Sequence, residues 1–220
     1  MSARRVVLFD LDGTVSDSAA SILSSLRAAL AANGIAPLDL TTERGLLGPP
    51  FYESLPPLIG EHNLWPVIES YREHYASRMY ETTAFPGVAA LLHALHADGR
   101  RLAVATSKPE HYARPIVEHL GLDVFFETIG GDELDGSLKS KALVIEKVLH
   151  RLGRPDPADV VMVGDREHDV VGARAHGIDT IAVQWGYALP GELEAADPAA
   201  ICATPHDLAT ALGVTVDAHR

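Results

Sequence analysis

The sequence predicts an α/β fold: a doubly wound parallel sheet carrying an inserted α-helical domain. Three observations lead there. Short apolar, β-branched segments recur at residues 4–9, 101–105, 159–163 and 179–183, with a further one at 124–129. Segments of helical periodicity separate them, at 87–97, 110–120, 140–152, 167–176 and 207–212. Strands alternating with helices of this length specify βαβ units with right-handed crossovers, hence an open parallel sheet. The interval 15–84, by contrast, holds no convincing strand.

Each element has a local reason. Val6-Val7-Leu8-Phe9 is apolar at every residue, as a strand covered on both faces requires. Residues 18–33 form an Ala/Leu-rich helix that Asn33-Gly34 is suited to stop. Helical pieces follow at 41–47, 51–55 and 64–80, punctuated by Pro49-Pro50 and Pro56-Pro57. Phe85-Pro86-Gly87 marks the return to the sheet. The expected organisation is therefore an α/β core of residues 1–14 and 85–220 and a helical domain of 15–84; helices merely packed on the sheet are the alternative. Pro115 is expected to kink or split its helix, and residues 216–220 to fray.

Composition narrows the function. The 220 residues are 47% hydrophobic and 22% charged, ordinary for a soluble globular protein. Lys and Arg number 18 against 30 Asp and Glu, a formal net charge of −12. With no basic run to offset it, that balance speaks against nucleic acid or an anionic membrane as partner. Cys202 is the single cysteine, which excludes an internal disulfide and a thiolate zinc site. His62, His74, His93 and His96 show no zinc-like pattern. No apolar stretch is long enough to span a bilayer, and the N-terminus lacks signal-peptide character. The expectation is a cytoplasmic monomer or weak homo-oligomer acting on a small molecule.

Chemistry gathers at the ends of the strands. The first runs into Asp10-Leu11-Asp12-Gly13-Thr14, where residues two apart can address one point and Gly13 allows a sharp turn. Two carboxylates held together repel unless a cation or a proton separates them, and Mg²⁺ is the natural partner of an all-oxygen site. The next strong strand ends in Thr106-Ser107-Lys108-Pro109-Glu110. Ser107 and Glu110 have capping-box spacing, so a helix N-terminus would offer an anion site there, with Thr106 adding a hydroxyl. Lys139-Ser140-Lys141 opens a helix where a lysine opposes the macrodipole, a choice that a nearby anion would explain. A fourth strand ends in Gly164-Asp165, with Asp169 four residues on; Asp165 as a plain N-cap is the simpler alternative. Ligands of open parallel sheets bind beyond such strand ends. A phosphoryl group fits the set: Asp10 as carboxylate nucleophile, Lys141 and Mg²⁺ neutralising charge, Asp12 exchanging a proton.

In this order the four segments resemble the motifs of the haloacid dehalogenase superfamily of phosphohydrolases. Gly45-Leu46-Leu47-Gly48-Pro49-Pro50, Thr106-Ser107-Lys108-Pro109, Gly164-Asp165-Arg166-Glu167-His168-Asp169 and Trp185-Gly186-Tyr187 resemble its phosphoglycolate phosphatase and 5′-nucleotidase-like branch. The resemblance implies a Rossmann-like core with a helical cap. It also implies Asp10 as nucleophile, Asp12 as acid/base, and Mg²⁺ held by Asp10, the Asp12 carbonyl and Asp165, with Asp169 in support. Thr106, Ser107 and Lys141, rather than Lys139, would bind the phosphate. Arg44, Tyr52, Arg72 and Tyr75 are candidates for contacting a leaving group. A sugar-phosphate mutase and a non-catalytic phosphate-binding module are the alternatives.

Overall fold

The computed structural model describes residues 4–138 and 140–216. Its chain runs β1 (Val6–Phe9), β2 (Ser16–Asp17), then helices α1 (Ala19–Ala32), α2 (Leu40–Gly45), α3 (Phe51–Ser54), α4 (Pro56–Ile59) and α5 (Leu64–Ala76). After β3 (Thr83–Ala84) come α6 (Val88–Ala97), β4 (Arg101–Pro109), α7 (Glu110–His119), β5 (Phe126–Asp132) and α8 (Lys141–Arg151). The remainder is β6 (Val160–Gly164), α9 (Glu167–Arg174), β7 (Asp179–Val183), α10 (Glu192–Ala196), β8 (Ala200–Cys202) and α11 (Pro205–Leu212).

Six strands form one parallel sheet in the order β5-β4-β1-β6-β7-β8. The alternation of side chains along β1 divides the core into two layers. Val7 and Phe9 join Leu91, Leu92 and Leu95 of α6, Ile116 of α7 and Leu208 of α11. Val6 and Leu8 face the other way, against Val144, Ile145 and Val148 of α8 and Ala173 of α9. This is the doubly wound sheet the sequence predicts.

The helices α1 to α5 have an interior of their own, built on Leu26, Leu30, Leu46, Leu55, Val67 and Ile68. Ile22, Leu47 and Tyr75 of the same interval join the main core. The interval does contain strands, contrary to expectation. Ser16–Asp17 and Thr83–Ala84 pair antiparallel where the chain leaves and re-enters the core. Two residues a side carry too little periodicity to show in the sequence.

Other boundaries also move. The helix expected at 64–80 stops at Ala76, where Arg78 N–H bonds the Tyr75 carbonyl and begins a turn toward β3. The strand expected at 101–105 extends to Pro109 because β5 pairs with it as far as Asp132. The apolar segment at 124–129 opens as a 3₁₀ turn, and its strand is Phe126–Asp132. The short edge strand β8 was not anticipated. Helix α7 runs unbroken through Pro115, so that residue does not split it. Val216 packs against the main cluster, and residues 217–220 lie outside the described residues.

Leu95 is fully buried between α6 and the sheet. Leu95→Ala is expected to cost about 2–5 kcal/mol, read as a lower urea midpoint at unchanged slope.

Candidate active site

Strand order reverses direction at β1, so the loops after β1, β4 and β6 diverge and leave a crevice at their carboxyl ends. Asp10 is the first residue beyond β1, and its N–H still bonds the Val163 carbonyl at 2.9 Å. The chain then turns tightly, with Val15 and Ser16 N–H both reaching the Leu11 carbonyl. Gly13 has φ +87°, and a Cβ there would lie 2.2 Å from an Asp165 carboxylate oxygen. Two further glycines hug these acids: a Cβ on Gly164 would meet Asp169 at 2.2 Å, and one on Gly186 would meet Asp165 at 2.4 Å. Small residues are required here because carboxylates fill the space beside the backbone.

Asp10, Asp165 and Asp169 converge, each offering an oxygen within 4.8 Å of the others. Lys141, the first residue of α8 and only 6% exposed, bonds Asp10 Oδ1 and Asp169 Oδ1, both at 2.7 Å. These partners answer the unfavourable position of a lysine at a helix N-terminus. Asp165 is fully buried and accepts from the Tyr187 N–H at 2.7 Å and the Thr14 hydroxyl at 3.1 Å. It does not cap α9; Arg166 is the N-cap, and Asp169 accepts its N–H. Lys139 lies outside the described residues.

The electrostatics are one-sided. Burial raises the proton affinity of Asp10, with Lys141 opposing that and Asp169 adding to it. Burial, then Asp10 and Asp169, push Asp165 well above the usual carboxylate range. Burial works against charge on Lys141, yet the two carboxylates outweigh it and hold its pKa above the ordinary lysine value. Three carboxylates against one ammonium leave a deficit of two positive charges. An all-oxygen donor set with that deficit fits a hard divalent cation.

The carboxylate of Asp12 stands apart from this cluster. It pairs with Lys108 at 3.0 Å and accepts from the Ser18 hydroxyl at 2.5 Å. Asp10, Asp12, Thr106, Ser107 and Lys108 nonetheless line one cleft between the sheet edge and the helices. Thr106 is buried, its hydroxyl accepting from the Lys108 N–H at 3.2 Å. Ser107 is part of β4 and caps nothing, so the expected capping box is absent. The extended pairing of β4 keeps Ser107 out of a cap conformation. Glu110 pairs instead with Arg114, Lys147 and Arg151.

Of the helical candidates, Tyr52, Arg72 and Tyr75 line the cleft, while Arg44 is exposed and does not. Tyr52 bonds Asp132, Arg72 bonds the Leu134 carbonyl, and Arg166 bonds the Leu47 carbonyl, so the helices are seated on the sheet by polar contacts. The sequence reading missed Lys108 as a site residue, along with Thr14, Ser18 and the Tyr187 N–H. For Lys108 no local signal existed: the apolar pattern ends the strand at residue 105, and only pairing with β5 carries β4, irregularly, on to Pro109.

A methyl group on Gly186 would collide with Asp165 and with the Gly13 carbonyl, whereas Gly45 has open space around it. Gly186→Ala is expected to lose about 1–3 kcal/mol in a urea titration. Turnover should fall with it, and Gly45→Ala should lose neither.

The description "haloacid dehalogenase-like hydrolase" belongs to the family model that matches residues 7–183. The tyrosine-protein kinase PtkA of Mycobacterium tuberculosis is 44% identical over 216 residues, which is 96% of this chain and 73% of that protein. A 5′-nucleotidase of Pseudomonas aeruginosa is 38% identical, covering 97% of this chain and 96% of its own. A phosphoglycolate phosphatase of Xylella fastidiosa is 35% identical, covering 83% and 81%. The crystal structure of a predicted phosphatase from Clostridium acetobutylicum superposes with a TM-score of 0.91 at 34% identity, covering 96% of this chain and 99% of that one. By sequence and by fold, then, this chain belongs to the haloacid dehalogenase-like hydrolases.

Proposed function

We propose that the chain is a Mg²⁺-dependent phosphatase that hydrolyses a small phosphomonoester, of phosphoglycolate or nucleotide type, through a phospho-Asp10 intermediate. The observation that carries this reading is the separation of two acidic groups in one cleft. Asp10 sits with Asp165, Asp169 and Lys141, while Asp12 sits with Lys108. One cluster suits phosphoryl charge; the other suits proton exchange.

Asp10, Asp165 and Asp169, with the Asp12 carbonyl, are the groups that would hold Mg²⁺. When bound, the ion supplies the missing positive charge and polarises the phosphoryl oxygens. Asp10 attacks phosphorus, forming the P–O bond to its carboxylate as the ester P–O bond breaks. Asp12 delivers a proton to the departing oxygen. In the second half, Asp12 takes a proton from water, which attacks the phosphoryl and releases Asp10 and inorganic phosphate. Lys141 balances charge on the transferring group, and Thr106 and Ser107 supply donors from the end of β4. The helices of 15–84 act as a cap that keeps bulk water from the intermediate. Among the described residues no helix is long and apolar enough to cross a membrane.

A second reading is phosphoryl transfer to protein tyrosine, favoured by the 44% identity to PtkA. The two differ in what accepts the phosphoryl group of Asp10, water or a phenolic hydroxyl. Label from γ-phosphate-labelled ATP separates them: free phosphate marks hydrolysis, and phosphotyrosine marks transfer.

Phosphate release from a panel of esters, with Mg²⁺ or with chelator, tests the main reading. Asp10→Asn is expected to lower turnover by about 10⁴-fold or more with the fold intact. Normal turnover in that variant would refute the nucleophile. Burial raises the proton affinity of Asp10 and Asp165 in the metal-free protein, so the folded chain holds protons that the unfolded chain releases. Their contribution to stability is full in the acid range and is lost as pH rises through the raised values. Mg²⁺ takes the place of those protons. The rise in Tm on adding Mg²⁺ is therefore expected to be larger at about pH 7.5 than at about pH 5, and to shrink in Asp165→Asn.

A further inference from the structure

Lys108 is unusual for a strand-end lysine. It is 9% exposed, and its Nζ has two polar partners that belong to different parts of the molecule. One is Asp12 Oδ2 at 3.0 Å, beyond β1. The other is the hydroxyl of Tyr75, which accepts from Nζ at 2.6 Å and comes from the last turn of α5 in the helical insertion. The same ammonium lies 4.6 Å from the centre of the Tyr75 ring, a cation–π distance. Tyr75 is itself 1% exposed and packs between Tyr71 and Tyr112, so it is a fixed anchor. The second oxygen of Asp12 is held by Ser18. Both oxygens of this carboxylate are thus aimed, one through Ser18, the residue before α1, and the other through Lys108.

We infer that Lys108 and Tyr75 form a positioning pair that aims the Asp12 carboxylate at the leaving-group oxygen, and that seating of the helices on the sheet completes it. The inference rests on the phosphatase reading above. It assigns Lys108 to proton delivery rather than to phosphate charge, the role already filled by Lys141. Because Tyr75 belongs to the insertion, a displaced insertion would leave Lys108 with one partner and Asp12 loosely aimed. Proton delivery would then be coupled to closure over the substrate.

Leaving-group dependence reads this role directly. An alkyl phosphate needs a proton on its departing alkoxide, whereas 4-nitrophenyl phosphate departs as a stable nitrophenolate. Single turnovers with enzyme in excess and Mg²⁺ present isolate the first half-reaction. Lys108→Met is expected to slow cleavage of propyl phosphate by about 10–100-fold, and of 4-nitrophenyl phosphate by less than about threefold, with half-saturating concentrations little changed. Tyr75→Phe keeps the ring and removes the hydroxyl; it should show the same selectivity at smaller size, and it carries the test if Lys108→Met fails to fold by urea titration. Equal losses on both esters, a change confined to the half-saturating concentration, or no loss in either variant would overturn the inference. A wild-type protein that cleaves neither ester would overturn the phosphatase reading, and this inference with it.

Discussion

The sharing of one buried ammonium between two buried carboxylates organises this molecule. Lys141 is held charged in the interior because Asp10 and Asp169 face it, and it in turn opposes the burial that raises the proton affinity of Asp10. Asp165 lies beyond its reach and leaves the cluster short of positive charge. Each partner comes from a different strand–helix unit: the end of β1, the start of α8 and the first turn of α9. A shift in any one unit would strand a charge in low dielectric, so the sheet edge must be built to close tolerance. The glycines at 13, 164 and 186 meet that requirement by bringing backbone against carboxylate.

The helical insertion depends on the same loops. Arg166 follows Asp165 directly, and its guanidinium holds both Glu192 at 2.7 Å and the Leu47 carbonyl of the insertion. Tyr187 offers its N–H to Asp165 while its hydroxyl accepts the Ser18 and Ala19 N–H groups at the start of α1. Residues that place the acids therefore also seat the helices. The insertion has an apolar cluster of its own, and Ile22, Leu47 and Tyr75 join it to the main core beside these polar contacts.

Much of the fold was legible in the sequence because burial imposes simple periods. Strand β1 is apolar throughout since both its faces are covered, and α6 carries Leu91, Leu92 and Leu95 on its inner face. The features that escaped were short or set by partners. Ribbon β2–β3 has two residues a side, and β4 runs past its apolar core because β5 pairs with it. Ser107 with Glu110 satisfied a local capping rule, but the neighbouring strand and three cations around Glu110 outweighed it. Among the site residues, Asp10 and Asp165 were named from strand-end position, Asp169 and a lysine of 139–141 from the helix start, with Lys141 chosen by the family resemblance. Asp10, Asp165, Asp169 and Lys141 lie together. Lys108 was not named, because a lysine in a loop-like segment carries no mark of its burial.

By itself the sequence determined which residues stand at the carboxyl ends of parallel strands, and hence which functional groups share one rim. Strand periodicity and chain direction are local properties, so they can be read in one dimension. Only the tertiary structure decided how those groups divide: Asp10 toward Lys141, Asp165 and Asp169, and Asp12 toward Lys108, Ser18 and the helical insertion. Which cation a carboxylate meets depends on segments about a hundred residues away, through packing that no local pattern encodes.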